Sequence, residues 1–285
     1  MCKRTPTPIG YKSVIDLGRD ARVYPPHTIG DYPTKILPSL VSEFIGRFTR
    51  AGMLVCDPFG GSGTVAVECA RLGRRAVSLD INPRAAALTR QKLAALETDS
   101  GTSDVLVLHA DARRIPLADG TVDAIVTDPP YADMIRYSDR PDDLSTIDDY
   151  GAFLRELDVA FGEMTRVLKP DRYCVVFVSD YRLARRRIVL PLHADVIALM
   201  SARGMELFDL YVWRYYRSGG FRPFGAKPYQ AMNVHSYILI FFKPASVRPI
   251  VKNRPVRYRP RLKLKLEATL ERDLADETGG KKRGG

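Results

Sequence analysis

Tryptophan occurs once in this 285-residue chain, and cysteine and histidine four times each. Cys2, Cys56, Cys69 and Cys174 form no C-x-x-C pair and none stands beside a histidine. Neither a zinc site nor a disulfide framework is indicated, so no metal and a reducing, cytoplasmic setting are expected. No apolar run is longer than the six residues of "YILIFF" at 237–242, whereas a membrane-spanning helix needs roughly 20. The opening "MCKRTPTPIG" lacks the apolar centre of a signal peptide, and a protein without a membrane partner is expected. Acids are also in short supply: 33 Asp+Glu face 44 Lys+Arg, for a formal charge of +11. That balance suits an anionic partner, and nucleic acid ranks ahead of membrane because no basic amphipathic helix is evident. An inert basic surface is the alternative.

What the chain does contain is an alternation of short apolar runs with longer helical patterns, the mark of βαβ units and a parallel sheet. Residues 53–57, 75–80, 104–111, 123–128 and 173–180 read as strands, and each ends in Asp. In open α/β sheets the ligand lies at the carboxyl ends of the strands, so five acids are aimed at one edge. Helices are expected over 63–73, 82–97, 150–168 and 191–203, the second opening on Asn-Pro, which suits N-cap and first-turn positions. Residues 205–216 and 233–244 then read as two strands with no helix between them, an antiparallel, hairpin-like end. The expected fold is an α/β, Rossmann-like sheet of about seven strands, parallel with an antiparallel end.

"VCDPFGGSGTVAVECA" (55–70) is a strand, a tight glycine turn and a helix start. It lacks both the lysine of a nucleotide-binding P-loop and the G-x-G-x-x-G spacing of dinucleotide folds. Gly60, Gly61 and Gly63 permit backbone torsions closed to other residues and let a ligand approach the main chain. Asp80, about 20 residues on, is placed to accept ribose hydroxyls. Asp111 ends the next strand, where it either takes an adenine amine or caps a helix. Asp57 lies beside the glycines. A ligand with a ribose, an adenine and a positive end, but no phosphate, fits this edge. S-adenosylmethionine has those parts.

The fourth strand runs into "TDPPYADMIRYSD" (127–139). Two prolines fix φ and remove two N–H groups, so Asp128 and Tyr131 are held in place on either side of Pro129 and Pro130 before any substrate arrives. A carboxylate and a backbone carbonyl that accept both hydrogens of a base's exocyclic amine would draw its nitrogen towards tetrahedral geometry, freeing the lone pair to attack a sulfonium methyl. Tyr131 would stack on the base, an interaction worth roughly 1–3 kcal/mol.

"DPFGGSGT" followed by "DPPY" resembles the S-adenosylmethionine-dependent amino-methyltransferases of nucleic acids, which methylate N6 of adenine or N4 of cytosine in DNA. "YPTKILPSLVSEFI" (32–45) is similar to a segment that precedes their glycine motif, with Tyr32 where they carry His. "EMTRVLKPDRYCVVFVSD" (163–180) and the two final strands are similar to their later strands, so the likeness spans about residues 27–244. The resemblance implies that Asp128, Pro129 and Tyr131 hold the target amine and base, with Pro130 shaping the turn. It implies that Asp57, Phe59, Gly60, Gly61, Gly63, Thr64, Asp80 and Asp111 line the cofactor pocket, closed by Thr34 and Lys35. Asp128, where cytosine enzymes more often have Ser, leans to adenine.

For the nucleic acid itself, 214–230 interleaves basic and aromatic residues without an acid. Arg217, Phe221, Arg222, Phe224, Lys227 and Tyr229 are its candidate contacts, the basic groups for phosphates and the rings for unpaired bases. An ordinary connecting loop with rings packed on the core is the other reading. Arg182, Arg185, Arg186 and Arg187 form a second basic cluster, read as a solvated turn. Residues 132–149 are expected to be a mobile loop over the site. The chain divides into an N-terminal arm (1–32), a catalytic domain (33–244) and a basic tail (245–285), partly disordered, whose stretch 248–265 has eight basic residues and no acid. DNA is favoured as substrate, structured RNA is the alternative, and a non-catalytic nucleic-acid binder is a third reading. The oligomeric state is open, a homodimer included.

Overall fold

The computed structural model describes residues 12–16, 23–33, 36–96, 104–131, 135–183, 188–214 and 235–246. Their centre is a mixed sheet of eight strands: β1 (Val14–Asp16), β2 (Leu54–Asp57), β3 (Arg75–Asp80), β4 (Val105–His109), β5 (Val122–Thr127), β6 (Leu168–Val178), β9 (Glu206–Arg214) and β10 (His235–Lys243). A two-stranded hairpin, β7 (Tyr181–Leu183) with β8 (Ile188–Leu190), stands apart from it. The helices are α1 (Pro38–Phe48), α2 (Thr64–Arg71), α3 (Pro83–Ala94), α4 (Tyr150–Val167) and α5 (Leu192–Ala202).

The sheet order is β1-β9-β10-β6-β5-β2-β3-β4. Connections from β2 run outward through β3 to β4, and then return to β5 on the other side of β2. The order therefore reverses between β2 and β5, which opens a crevice at their carboxyl ends. The expected antiparallel end is present, with one refinement. The last strand, β10, is inserted between β6 and β9 and runs antiparallel to both. The arm contributes an eighth strand that the sequence did not announce: Val14–Asp16 pairs parallel with Val212–Arg214, too short a run to show periodicity.

Apolar residues fill both faces because the strands are covered on both sides. Successive side chains alternate: Cys56, Ile125, Cys174, Val176, Leu239 and Phe241 point to a core shared with Phe153, Leu157 and Phe161 of α4 and Val196 of α5. Val55, Val126, Val175, Phe177, Ile238 and Ile240 point to the opposite core, filled by Leu40, Val41, Phe44 and Ile45 of α1 and Val65 and Cys69 of α2. Cys56, Cys69 and Cys174 are free and buried, and burial pushes all three thiols up. They act as small apolar residues. Asn82 caps α3 as its sequence implies, its side chain accepting from the Arg84 N–H at 3.0 Å, with Pro83 in the first turn. Among the described residues no helix is long and apolar enough to cross a membrane, and no cluster of potential ligands could hold a metal ion.

Candidate active site

The glycine turn links β2 to α2 and is tied to the neighbouring strand. The Gly60 N–H donates to Leu79 O at 2.7 Å and the Gly63 N–H to Gly60 O at 2.8 Å. Gly63 caps α2 at φ 79°, and a Cβ there would lie 2.6 Å from Thr89 Oγ1. A side chain at this position would be both strained and obstructed. Beneath the turn lies Lys92 of α3, fully buried, with Nζ donating to Ser62 O at 2.6 Å.

Asp80 closes the turn from above. Its Oδ2 accepts from the Gly61 N–H and its Oδ1 from the Asn82 N–H, both at 2.7 Å. Both oxygens are thus aimed by backbone donors, with lone pairs left over for a ligand. Asp57, at the end of β2, is buried, and its Oδ1 accepts from Thr127 Oγ1 of β5 at 2.8 Å and from the Phe59 N–H at 3.2 Å. This bond spans the point where the sheet order reverses. Asp128 follows β5 directly, and Tyr131 Oη donates to its Oδ1 at 2.5 Å.

One cavity is lined by Tyr32, Ile36, Asp57, Phe59, Gly60, Gly61, Thr64, Asp80, Ile81, Asp111, Ala112, Asp128, Pro130, Tyr137, Asp143 and Leu144, among others, and the described residues that line it include five aspartates and no lysine or arginine. Such a wall repels phosphate and attracts a cation. It brings together Asp57, Phe59, Gly60, Gly61, Thr64, Asp80, Asp111, Asp128 and Pro130 of the residues singled out above. Gly63, Pro129 and Tyr131 sit behind this surface: Gly63 as the helix cap, Pro129 buried, and Tyr131 packed against the core of the α4 face. Thr34 and Lys35 lie outside the described residues, although Tyr32 and Ile36 on either side of them line the cavity. Arg217, Phe221, Arg222, Phe224, Lys227 and Tyr229 also lie outside them, as do residues 184–187 and the basic tail.

Two acids behave differently from the others. Asp111 caps the short helical turn Ala112–Arg114 through the Arg113 N–H, and both its oxygens also bind the Arg113 guanidinium at 2.7–3.0 Å. It borders the cavity with its charge already paired. Asp180 ends β6 as expected, but its carboxylate accepts from the His193 N–H at 3.1 Å and binds His193 Nδ1 at 2.7 Å, which ties it to the start of α5.

From residue 135 on, the segment after "DPPY" is held by hydrogen bonds and ring contacts. Tyr137 stacks on Tyr32 at 5.6 Å between ring centres, its N–H donates to Ser145 Oγ at 3.1 Å, and its carbonyl accepts from Asn82 Nδ2 at 3.0 Å. Ser138 Oγ donates to Asp143 Oδ2 at 2.5 Å, and Asp143 Oδ1 accepts from the Ser145 N–H at 2.8 Å. Residues 135–149 are thus hydrogen-bonded to one another and to Asn82 along the cavity, over which a mobile loop was expected, and 132–134 lie outside the described residues. Asp143, Tyr137 and Lys92 are the site residues missed from sequence. Asp143 carries a weak signal, an Asp two residues before Ser in a polar stretch, which is a capping pattern.

Burial raises three carboxyls here, Asp57 to about 7, Asp80 to about 6 and Asp128 to about 7, each against the hydrogen bonds already named. An unfolded chain would release these protons near pH 4. Between those limits the folded protein holds protons that the unfolded chain has lost, so stability falls as pH rises from about 4 to about 7. Asp123 and Glu163 are shifted the other way, lowered mainly by their Lys169 and Arg166 partners. The ligand-free protein should melt several degrees higher at mildly acidic pH than at pH 8, and Asp57→Asn should flatten the profile. A melting temperature that climbs with pH through this range would contradict the assignment.

Comparison with known proteins bears on the same residues. The sequence profile of the family described as DNA methylase matches residues 16–91 and 122–281, and a methyltransferase-domain profile matches 55–171. A tRNA (guanine(10)-N2)-dimethyltransferase of Methanothermobacter thermautotrophicus is 39% identical over 101 residues, 35% of this chain and 29% of that protein. The type II methyltransferase M.MjaII of Methanocaldococcus jannaschii is 36% identical over 80 residues, 26% of this chain and 15% of that one. The chain thus aligns with less than a third of the length of either relative. A SAM-dependent methyltransferase structure from Methanosarcina mazei superposes with a TM-score of 0.51 at 15% identity, covering 71% of this chain and 98% of that one. That likeness establishes the methyltransferase fold, and the profile match, which spans most of the sequence, establishes more: the chain belongs to the DNA methylase family.

Proposed function

We propose that the protein transfers a methyl group from S-adenosylmethionine to the exocyclic amine of a DNA base, N6 of adenine or N4 of cytosine. The observation that carries this reading is the junction of an acid-lined cavity with Asp128-Pro-Pro-Tyr131 at the point where the sheet order reverses. The cavity fits the cofactor by its chemistry. Asp80, oriented by two backbone donors, would take the ribose hydroxyls, and Ile81, Ala112 and Leu144 would flank the adenine. Asp57 and Asp128 supply negative charge for a cationic end, and no basic side chain among the described residues lining the cavity opposes it. Bound there, S-adenosylmethionine offers a methyl on a sulfonium, which becomes a neutral thioether on transfer.

The protein's share of the chemistry is acceptor geometry. Tyr131 occupies Asp128 Oδ1, which leaves Oδ2 to accept one N–H of the amine, while a proline carbonyl of the turn accepts the other. Asp128 Oδ2 would also take the surplus proton that the methylated nitrogen has to lose. A carboxyl raised to about 7 is matched to that task near neutral pH. In a duplex, the target base would have to leave the stack to reach this edge.

A second reading has its own support. The tRNA guanine-N2 relative aligns over the larger share of this chain, so a structured RNA is the alternative substrate, methylated by the same residues. The test is incubation of the purified protein with tritium-labelled cofactor and, in parallel, duplex DNA and total RNA, with labelled nucleosides identified by mass spectrometry. N6-methyladenine or N4-methylcytosine from DNA is the expected result. Label confined to RNA would replace the DNA reading, and no label from either would overturn methyl transfer to nucleic acid.

A further inference from the structure

In the middle of α2, between the core residues Val67 and Cys69, Glu68 is 1% exposed. A buried carboxylate needs partners, and these come from the amino-terminal arm. Tyr24 Oη donates to Glu68 Oε1 at 3.0 Å, and His27 Nε2 bonds to the same oxygen at 2.7 Å. An ionised carboxylate only accepts, so His27 carries its proton on Nε2. Arg71 Nε stands 3.7 Å from Oε1, and its guanidinium covers the Tyr24 ring at 4.7 Å. His27 is itself 1% exposed, and its Nδ1 is buried without a partner among the described residues. An apolar side chain would fill this space without leaving a polar atom unpaired. What the imidazole adds is the bond to Glu68.

Five residues beyond His27, the arm reaches the cofactor cavity at Tyr32. The path between them is fixed. The Ile29 N–H donates to Pro26 O at 3.0 Å, and Gly30, at φ 67°, lies so close to α3 that a Cβ there would be 2.5 Å from Leu88 Cδ1. Tyr32 then rests on the glycine turn, its ring 3.3 Å from where a Cβ on Gly61 would stand, and stacks on Tyr137 at 5.6 Å between ring centres. One short segment thus touches α2, α3, the glycine turn and the 135–149 segment.

We propose that His27 and Glu68 are positioning residues for the cofactor: their buried bond pins the arm to α2, so that Tyr32 stays against Gly61 and Tyr137 and holds S-adenosylmethionine in its cavity. This rests on the cofactor occupying that cavity and on no particular base as acceptor. A buried polar pair adds little net stability for its desolvation, but it selects one placement of the segment that carries it. Here the placement selected is that of a ring lining the cavity. A tie that served α2 alone would leave cofactor affinity unmoved.

The test compares full-length His27→Ala, His27→Gln, Tyr32→Ala and the double variant His27→Ala/Tyr32→Ala with the unmodified protein, at a temperature where melting curves show each to be folded. By isothermal titration, His27→Ala should bind S-adenosylmethionine about 10-fold more weakly, within the usual range for coupled sites. His27→Gln, whose amide can still donate to Glu68, should recover most of the loss. The double variant should bind as Tyr32→Ala does, because the tie acts through Tyr32. With 3-fluorotyrosine incorporated, the Tyr32 fluorine resonance, identified by its loss in Tyr32→Phe, should move towards that of a solvated tyrosine in cofactor-free His27→Ala. Should His27→Ala not fold, Tyr24→Phe removes the other donor more gently and is read the same way, with about a 3-fold loss expected. Unchanged affinity in a folded variant overturns the proposal, as do losses that multiply in the double variant or an unmoved fluorine resonance. No binding by the unmodified protein would overturn it together with the assignment of the cavity. Binding without methyl transfer to DNA or RNA would count against the nucleic-acid reading, and the titrations and the fluorine resonance would still decide the tie.

Discussion

Asp128→Ala should bind S-adenosylmethionine within a few-fold of the unmodified protein and transfer methyl about 10³-fold more slowly, in the range for removing an acceptor or donor aimed at developing charge. The reasoning is geometric. Asp128 borders the cavity at the foot of β5, whereas the glycine turn and Asp80, which would carry most of the cofactor, are on the β2 and β3 side. Alanine also strips Tyr131 Oη of its acceptor, and a buried hydroxyl left unpaired costs about 1–3 kcal/mol. Thermal unfolding therefore has to accompany the kinetics. Asp128→Asn is the gentler comparison, since the amide oxygen still accepts but no longer takes a proton. Calorimetric titration of the cofactor together with single-turnover rates would decide the matter, and a mutant transferring methyl at the original rate would remove Asp128 from the mechanism.

Asp80→Ala should have the larger effect on binding, weakening the cofactor by about 100-fold through loss of paired, charge-assisted acceptors. Two effects combine. The ribose loses its acceptor, and the Gly61 and Asn82 N–H groups lose the carboxylate that holds the turn and the start of α3 together. Because the ribose is common to S-adenosylmethionine and its thioether product, S-adenosylhomocysteine should be weakened equally. Asp57→Asn should instead discriminate, weakening the cationic cofactor more than the neutral product. Isothermal titration with both ligands reads this difference. Equal affinities before and after Asp80→Ala would place the ribose elsewhere.

The parallel half of the sheet was legible because its strands are apolar on both faces and its helices are capped in sequence, as at Asn82-Pro83. The acids were legible for the same reason: each ends a strand, and strand ends converge on one edge. Which acids remain available to a ligand was not legible. Asp111 is occupied by Arg113, two residues on, and Asp180 by His193, which arrives from α5. Local spacing cannot report partners that tertiary packing selects. Lys92 illustrates the same limit from the opposite side, because a lysine in a helical pattern reads as a solvated residue until α3 packs under the glycine turn. Tyr131 likewise packs against the core and engages its hydroxyl with Asp128, contacts that the motif alone does not display.

The placement of β10 between β6 and β9 also sets a timetable for assembly. β1, near the amino terminus, has its partner in β9, and β9 is joined to the rest of the sheet only through β10. During synthesis, β2 to β6 can form as nascent βαβ units, but the β1 edge has nothing to pair with until nearly all the described chain has emerged. Contacts between such distant segments are slow to form because their loop-closure entropy is lost before any pairing is gained. The same insertion brings Ser236 up to Ser179, so this tie between β6 and β10 is among the last features to be completed. A nascent chain lacking β10 would thus present the glycine turn and the acid-lined crevice while the far side of the sheet, from β10 to β1, is still open.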